Sequence, residues 1–384
     1  MSGPDLPGWQ RLVKENKFYF KKNPRLKYDS VERIGYHGGS IIFNEHNSKG
    51  RIKRKITVRF ATTRRGLELL ENEILCLQHL SGSEHIARVI KISDSRLNIS
   101  GTGRNKDHPI LATEYLPYGS LKGLRERAAR ARRWIPNTIL WSVFLCLARQ
   151  NLACMFPLRA NPDAPQRREA VGTQLGNALG IIEPNNLHDG ISHRFRFSEP
   201  AEDTEEHGSA PAVVATDFSR GRLSESYDDT AYHNLHAIGA FMARFALNLD
   251  DEQGINFLTQ RWLLSNGQLI RMFPEHAIVQ EEVRTVVPPR LMHMPGIDFQ
   301  LKEIIARCLA VEVDNMLNYR NLVILCQDGL EFSSPVQINN MPSSRQEELT
   351  IGGDRRFVQD FIYNADIQAE SSILGEQNRF GEWV

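Results

Sequence analysis

Asp217 stands at the end of a short apolar run, Ala212-Val213-Val214-Ala215, and is followed by Phe218 and Ser219. A carboxylate there, just past a buried strand, can hold a divalent cation at the mouth of a cleft. Far upstream, Ile34-Gly35-Tyr36-His37-Gly38-Gly39-Ser40-Ile41-Ile42 sets three glycines between apolar runs. Backbone without Cβ atoms can approach phosphate oxygens, though the same glycines also suit a hairpin turn. In Ile56-Thr57-Val58-Arg59, period-two alternation puts Ile56 and Val58 on one face and Thr57 and Arg59 on the other. Arg59 then offers a guanidinium to a phosphate or a carboxylate. Lys55 shares that face but sits two pleats away, about 13 Å along a strand. The same residues also read as a basic surface strand with Arg51, Lys53 and Arg54.

Other polar groupings carry weaker chemistry. Pro184 to Ser192 holds Asn185, Asn186, His188 and Asp189, with His193 next to it, and reads as a metal cluster or as a polar loop. His233 and His236 lie one helical turn apart, open to zinc but equally ordinary on a helix. The five cysteines, Cys76, Cys146, Cys154, Cys308 and Cys326, fall in apolar helical stretches without paired spacing. They read as buried free thiols in a reducing compartment.

Positioning these groups takes a chain of 384 residues, 41% hydrophobic and 24% charged, enough for one large two-lobed domain or two domains. The net charge of +1 creates no global field for nucleic acid or membrane. The first ten residues lack an apolar signal core, and the apolar run Ile139 to Ala148 is too short to span a bilayer. The expectation is an intracellular protein, cytoplasmic or nuclear, with neither membrane nor nucleic acid as partner.

Residues 1–30 read as a basic lead-in. Strands follow at Val31 to Ile34, Ser40 to Phe43 and Ile52 to Thr62, with turn chemistry at Asn47-Ser48-Lys49-Gly50. Leu67, Leu70, Ile74, Leu77 and Leu80 mark one amphipathic helix. Ile86 to Ile92 and Pro109 to Tyr115 read as two more strands. After Pro117-Tyr118-Gly119 the pattern turns helical. Leu121 to Trp134 is basic, and a second helix follows Pro136 to Met155. Residues 156–180 and 199–211 read as loops. Helical faces return with Leu235, Ile238, Met242 and Phe245, and with Leu301, Ile304, Ile305, Cys308 and Leu309. Residues 333–384 read as a polar linker, a short helix with Phe357, Val358, Phe361 and Ile362, and a tail.

This order resembles the protein kinase fold: α+β and bilobal, with a small antiparallel sheet and one helix in the N-lobe (31–116) and a larger helical C-lobe (117–332). The resemblance spans about residues 30–330 and is of the diverged kind abundant in filamentous fungi. The string Ile110-Leu111-Ala112-Thr113-Glu114-Tyr115-Leu116-Pro117-Tyr118-Gly119-Ser120-Leu121 is similar to the fifth strand and hinge of kinases. It implies Thr113 as gatekeeper, with Glu114 and Leu116 offering backbone groups to adenine. Glu73-Ile74-x-x-Leu77-x-x-Leu80 resembles the regulatory helix, and Ile56 to Arg59 resembles Val-Ala-Ile-Lys with Arg in place of Lys. Together they imply that Glu73 pairs with Arg59. The glycine string resembles G-x-G-x-x-G-x-V, with Gly35 in register, His37 and Ser40 replacing the later glycines, and Gly38 and Gly39 shifted. Asp217-Phe218-Ser219 resembles Asp-Phe-Gly, implying Asp217 as a magnesium ligand.

The catalytic pattern H-R-D-x-x-x-x-N is degenerate. In its best local match Asn186 stands at the Asp position and Ile191 at the Asn position. An amide is no general base, and Ile ligates no magnesium. Asp229 to Gly239 resembles the D-x-x-S-x-G segment, with Asn234 for its Asp and no Ala-Pro-Glu before it. Ile297 to Ala310 resembles a late kinase helix, but Val313 to Leu317 lacks the prolines and Arg that follow it in the family. The resemblance therefore implies a pseudokinase that binds ATP, with magnesium through Asp217, and works through a protein partner. The alternatives are an active atypical protein or small-molecule kinase, and a scaffold that binds no nucleotide. The basic run Lys122, Arg125, Arg127, Arg130, Arg132 and Arg133 reads as a solvated face or as a surface for an acidic or phosphorylated partner.

Overall fold

A computed structural model of the chain describes residues 25–34, 38–90, 110–158, 166–169, 178–180, 195–197, 212–215, 222–224, 227–248, 259–265, 280–332 and 356–364. The fold is mixed α and β, and the chain divides into two compact units. One comprises Met1–Leu116 with Pro157–Arg168 and Thr216–Arg222; the other comprises Pro117–Phe156, Glu169–Ala215 and Leu223–Val384.

The first unit is built on a four-stranded antiparallel sheet, β1 (Leu26–Ile34), β2 (Gly38–His46), β3 (Ile52–Ala61) and β4 (Ile110–Glu114), in that spatial order. β1 begins at Leu26, inside the stretch read as lead-in, because Leu26 is buried in the sheet core. The β2–β3 turn is local chemistry. Asn47 Oδ1 accepts from the Lys49 and Arg51 amides at 2.9 and 3.0 Å, and Gly50 takes φ +74°, a value that favours glycine. Alternation sorts the two faces as the sequence implies. Ile41, Phe43, Ile56, Val58, Phe60 and Ala112 share one apolar core. Each such fully buried large apolar side chain contributes about 1.5–3 kcal/mol.

Helix α1 (Arg64–His79) starts where the Thr63 hydroxyl accepts from the Gly66 amide at 3.0 Å. It buries Leu70, Glu73, Ile74 and Leu77, one stripe at helical spacing. The expected strand at 86–92 is not a regular one within its described part, residues 86–90. Val89 forms an isolated bridge to Thr113, flanked by Ile90 N–H to Ala112 O at 2.9 Å and Glu114 N–H to Arg88 O at 3.0 Å. Residues 166–168, read as loop, join this unit from a distance. Gln166 donates to the Ser83 and Ile86 carbonyls, and Arg167 exchanges backbone bonds with Gly82 and Glu84.

The second unit centres on α3 (Asn137–Met155), which follows α2 (Leu121–Arg130). α3 is 19 residues long, and its apolar stretch is 94% buried. The helix expected after Pro136 to Met155 is present; the apolar stretch is longer than the run Ile139 to Ala148, and by length and composition α3 could cross a bilayer, but its surroundings are protein, as in a core helix. Around it pack α4 (Tyr227–Ala246) and α7 (Tyr319–Phe332), with α6 (Phe299–Cys308) against α4. The unit also holds the short α5 (Pro289–His293), the three-residue strands β5 (Ala178–Gly180), β6 (Phe195–Phe197) and β7 (Val213–Ala215), and β8 (Arg222–Ser224) at its margin. β9 (Gln260–Ser265) and β10 (Gln280–Thr285) pair as a hairpin that the sequence reading did not contain, and neither did it contain α7. α2 stops four residues before Trp134. Arg132 turns at φ +52°, and the Arg132 and Arg133 amides bond back to Ala129 and Ala128, a C-terminal cap that closes the helix.

Candidate functional site

The polar side of the first unit's sheet assembles around Arg59. Ser40 and Leu111 lie directly across from Arg59 on the neighbouring strands, and Ile42 and Thr113 across from Thr57. Directly paired residues share a face, so Ser40, Thr57, Arg59 and Thr113 form one polar patch edged by Ile42 and Leu111. Ser40, Thr57 and Thr113 are buried. α1 delivers Glu73 to this face: its carboxylate pairs with the Arg59 guanidinium. The Glu73 side chain is 5% exposed and that of Arg59 23%, so the pair sits at the edge of the buried patch. A carboxylate sunk this deep requires its partner.

Glu73 also reaches into helix chemistry. The Cys76 thiol, one turn on, is pushed up to about 12 by burial and then by the Glu73 charge. Cys76 is therefore no nucleophile at neutral pH. Lys55, on the same face as Arg59, is engaged elsewhere: its ammonium lies 3.4 Å from Asp29 and over the Tyr115 ring.

Glu114 points to the opposite face. Its carboxylate accepts from the Arg88 amide at 2.8 Å, so the side chain anchors residues 86–90 to β4. Leu116, the last residue of the unit's first segment, is buried. Gly38 and Gly39 lie inside β2, opposite Ala61 and Phe60. A Cβ on Gly38 would fall 2.4 Å from the Phe60 carbonyl oxygen, so close strand approach alone explains that glycine. Gly35 and His37 lie outside the described residues, as do Asn186, His188, Asp189, Ile191, His193 and Asp217. The strand ahead of Asp217 is described. β7 is held to α3 by Gln150, whose amide donates to the Val213 carbonyl at 2.8 Å, and by Val213 N–H on Cys146 Sγ at 3.2 Å.

The remaining candidates resolve into packing. His236 stacks on Tyr232, and burial, then the neighbouring His233, holds its pKa below the usual histidine value. Among the described residues no three of His, Cys, Asp and Glu gather as a metal site. The basic run after Ser120 is not uniformly solvated: Arg125 is buried, and Arg127 donates to the Phe361 carbonyl at 3.0 Å. What the sequence reading missed is the patch itself, Ser40 with Thr57 and Thr113. Strand register brings these three together, and a single strand's pattern carries no register. No protein-family model matches the chain, and no curated protein matches it in sequence.

Proposed function

We propose that the chain is a protein-kinase-like domain with degenerate catalytic motifs: a pseudokinase that binds ATP at the Arg59 face and acts through a protein partner. The observation that carries this reading is the Arg59–Glu73 pair. In phosphotransferases of that fold, a strand-borne cation paired to a helix carboxylate marks the arrangement that receives phosphates. The meander β1-β2-β3, with residues 86–90 beside β4, supports the same reading. Arg for Lys favours binding over transfer: a planar guanidinium grips phosphate oxygens bidentately but does not fit a site shaped for a compact ammonium.

Under this reading Gly35, Gly38, Gly39 and Thr113 border the nucleotide, Glu114 and Leu116 offer it backbone groups, and Asp217 holds magnesium. Asn186 leaves the site without a general base. An intracellular location goes with the reading. Thermal unfolding of the full chain with ATP and with Mg-ATP tests it. A ligand at 100 times its Kd stabilises by about 2.7 kcal/mol. The expected result is a shift that Arg59→Ala removes, with no ATP turnover. Turnover abolished by Asp217→Ala would establish the active alternative, and no shift with either form of ATP would leave a scaffold.

A further inference from the structure

The segment Arg356–Asn364, near the chain's end, is docked on α2, more than 230 positions away in sequence. Phe357, Val358 and Ile362 are buried, at 3%, 2% and 0% exposure. Phe357 and Phe361 stack with ring centroids 4.7 Å apart. Arg127 on α2 donates to the Phe361 carbonyl, and the Tyr363 ring meets Tyr118 edge-on at 4.9 Å. The segment's backbone closes on itself, with the Asn364 amide donating to the Gln359 carbonyl at 2.8 Å in a π-helical turn. The Arg127–Phe361 bond and the Tyr118–Tyr363 contact tie it to α2 and the turn before it.

Tyr118 occupies a sensitive place. It lies two residues beyond Leu116, where the first segment of the sheet unit ends. Next comes Gly119 at φ +76°, a value that favours glycine, and then Ser120, whose hydroxyl caps α2 by accepting from the Gly123 amide at 3.1 Å. A ring clamped on Tyr118 restrains the connection that runs from β4 into α2. Local openings start in elements held by few contacts.

We propose that Arg356–Asn364 is a detachable latch on α2, clamping the Tyr118–Gly119 connection and releasing without unfolding the α3 core. The surface it covers is a receptor for a short aromatic-apolar peptide, filled by the chain's own segment. This does not depend on nucleotide binding. Hydrogen exchange of the full chain tests it, comparing wild type with Ile362→Asp and with Arg127→Ala. The expected result for Ile362→Asp is at least tenfold faster exchange in α2, with α3 and α7 unchanged. Arg127→Ala moves α2 in the same direction by less. An excess of synthetic peptide spanning 356–364 slows α2 exchange in Ile362→Asp back toward wild type. The proposal is overturned if α2 exchange does not change, if α3 and α7 accelerate together with α2 in both variants, or if the peptide restores nothing.

Discussion

The Arg59 guanidinium pairs with the Glu73 carboxylate, tying the C-terminal half of β3 to the buried stripe of α1. The two ends are unequal: Glu73 is the more deeply sunk, while Arg59 keeps part of its surface in solvent. Arg59→Ala strands a buried carboxylate and should cost about 3–5 kcal/mol. Glu73→Ala leaves a guanidinium able to turn toward water, and should cost less. Urea denaturation of both single variants and the double variant checks this. The double variant should be more stable than the summed single losses imply. A larger loss from Glu73→Ala than from Arg59→Ala would contradict the burial order.

A second relationship sits in the helical unit. A Cβ placed on Gly329 of α7 would lie 2.4–2.6 Å from three ring atoms of Trp141, which is itself fully buried. Gly to Ala inside a helix ordinarily gains about 1 kcal/mol. Here overpacking, which costs about 1–3 kcal/mol, outweighs that gain. Gly329→Ala should therefore lower the melting temperature, and Trp141→Leu in the same chain should recover part of the loss. A Gly329→Ala variant that melts higher than wild type would show that the indole moves freely.

The buried thiols set an alkaline limit. Burial pushes Cys308 up to about 12, and burial with the Glu73 charge does the same for Cys76, from an ordinary value of 9.0. Between those values the unfolded chain has lost protons that the folded chain retains. Stability is therefore whole below pH 9 and falls as pH rises toward 12. Denaturant midpoints at pH 8 and pH 10 under reducing conditions measure the slope. Cys76→Ala should flatten it relative to wild type, whatever its effect at pH 8.

Asp298 does two jobs at one helix end. Its carboxylate accepts from the Gln300 amide at 2.9 Å, capping α6, and from Trp141 Nε1 at 3.4 Å. Its own amide is held by Asn137 Oδ1 at 3.1 Å. Asp298→Ala removes the cap, worth about 1 kcal/mol, and also takes the oxygen from a buried indole N–H. Asp298→Asn keeps a side-chain oxygen for the cap and should fall between Ala and wild type in thermal unfolding. Equal losses for Ala and Asn would mean that charge, rather than the cap, is what matters.

Short-range chemistry made much of the first unit legible. The β2–β3 turn follows from Asn47 and Gly50, the apolar stripe of α1 from its helical spacing, and the facing of Ile56, Val58 and Arg59 from strand alternation. The pairing of Glu73 with Arg59 was also legible, through the resemblance. Less visible was where elements stop when their ends are made by other parts of the chain. Residues 86–90 alternate like a strand, yet they meet β4 through an isolated bridge and two flanking backbone bonds rather than a regular ladder. α2 ends in a left-handed Arg132, with no glycine to announce it.

Local pattern thus determined the sheet meander, the amphipathic face of α1 and the cation on β3, because each depends on neighbours a few residues apart. Tertiary structure decided what requires distance. Strand register made Ser40, Thr57 and Thr113 one buried patch. Close helix packing gave Gly329 its indole. Residues 166–168 were drawn to the turn after α1, and the Phe361 carbonyl found Arg127 of α2. The reason is physical: burial depends on which surfaces meet, and a linear sequence presents apolar and polar faces without stating their partners.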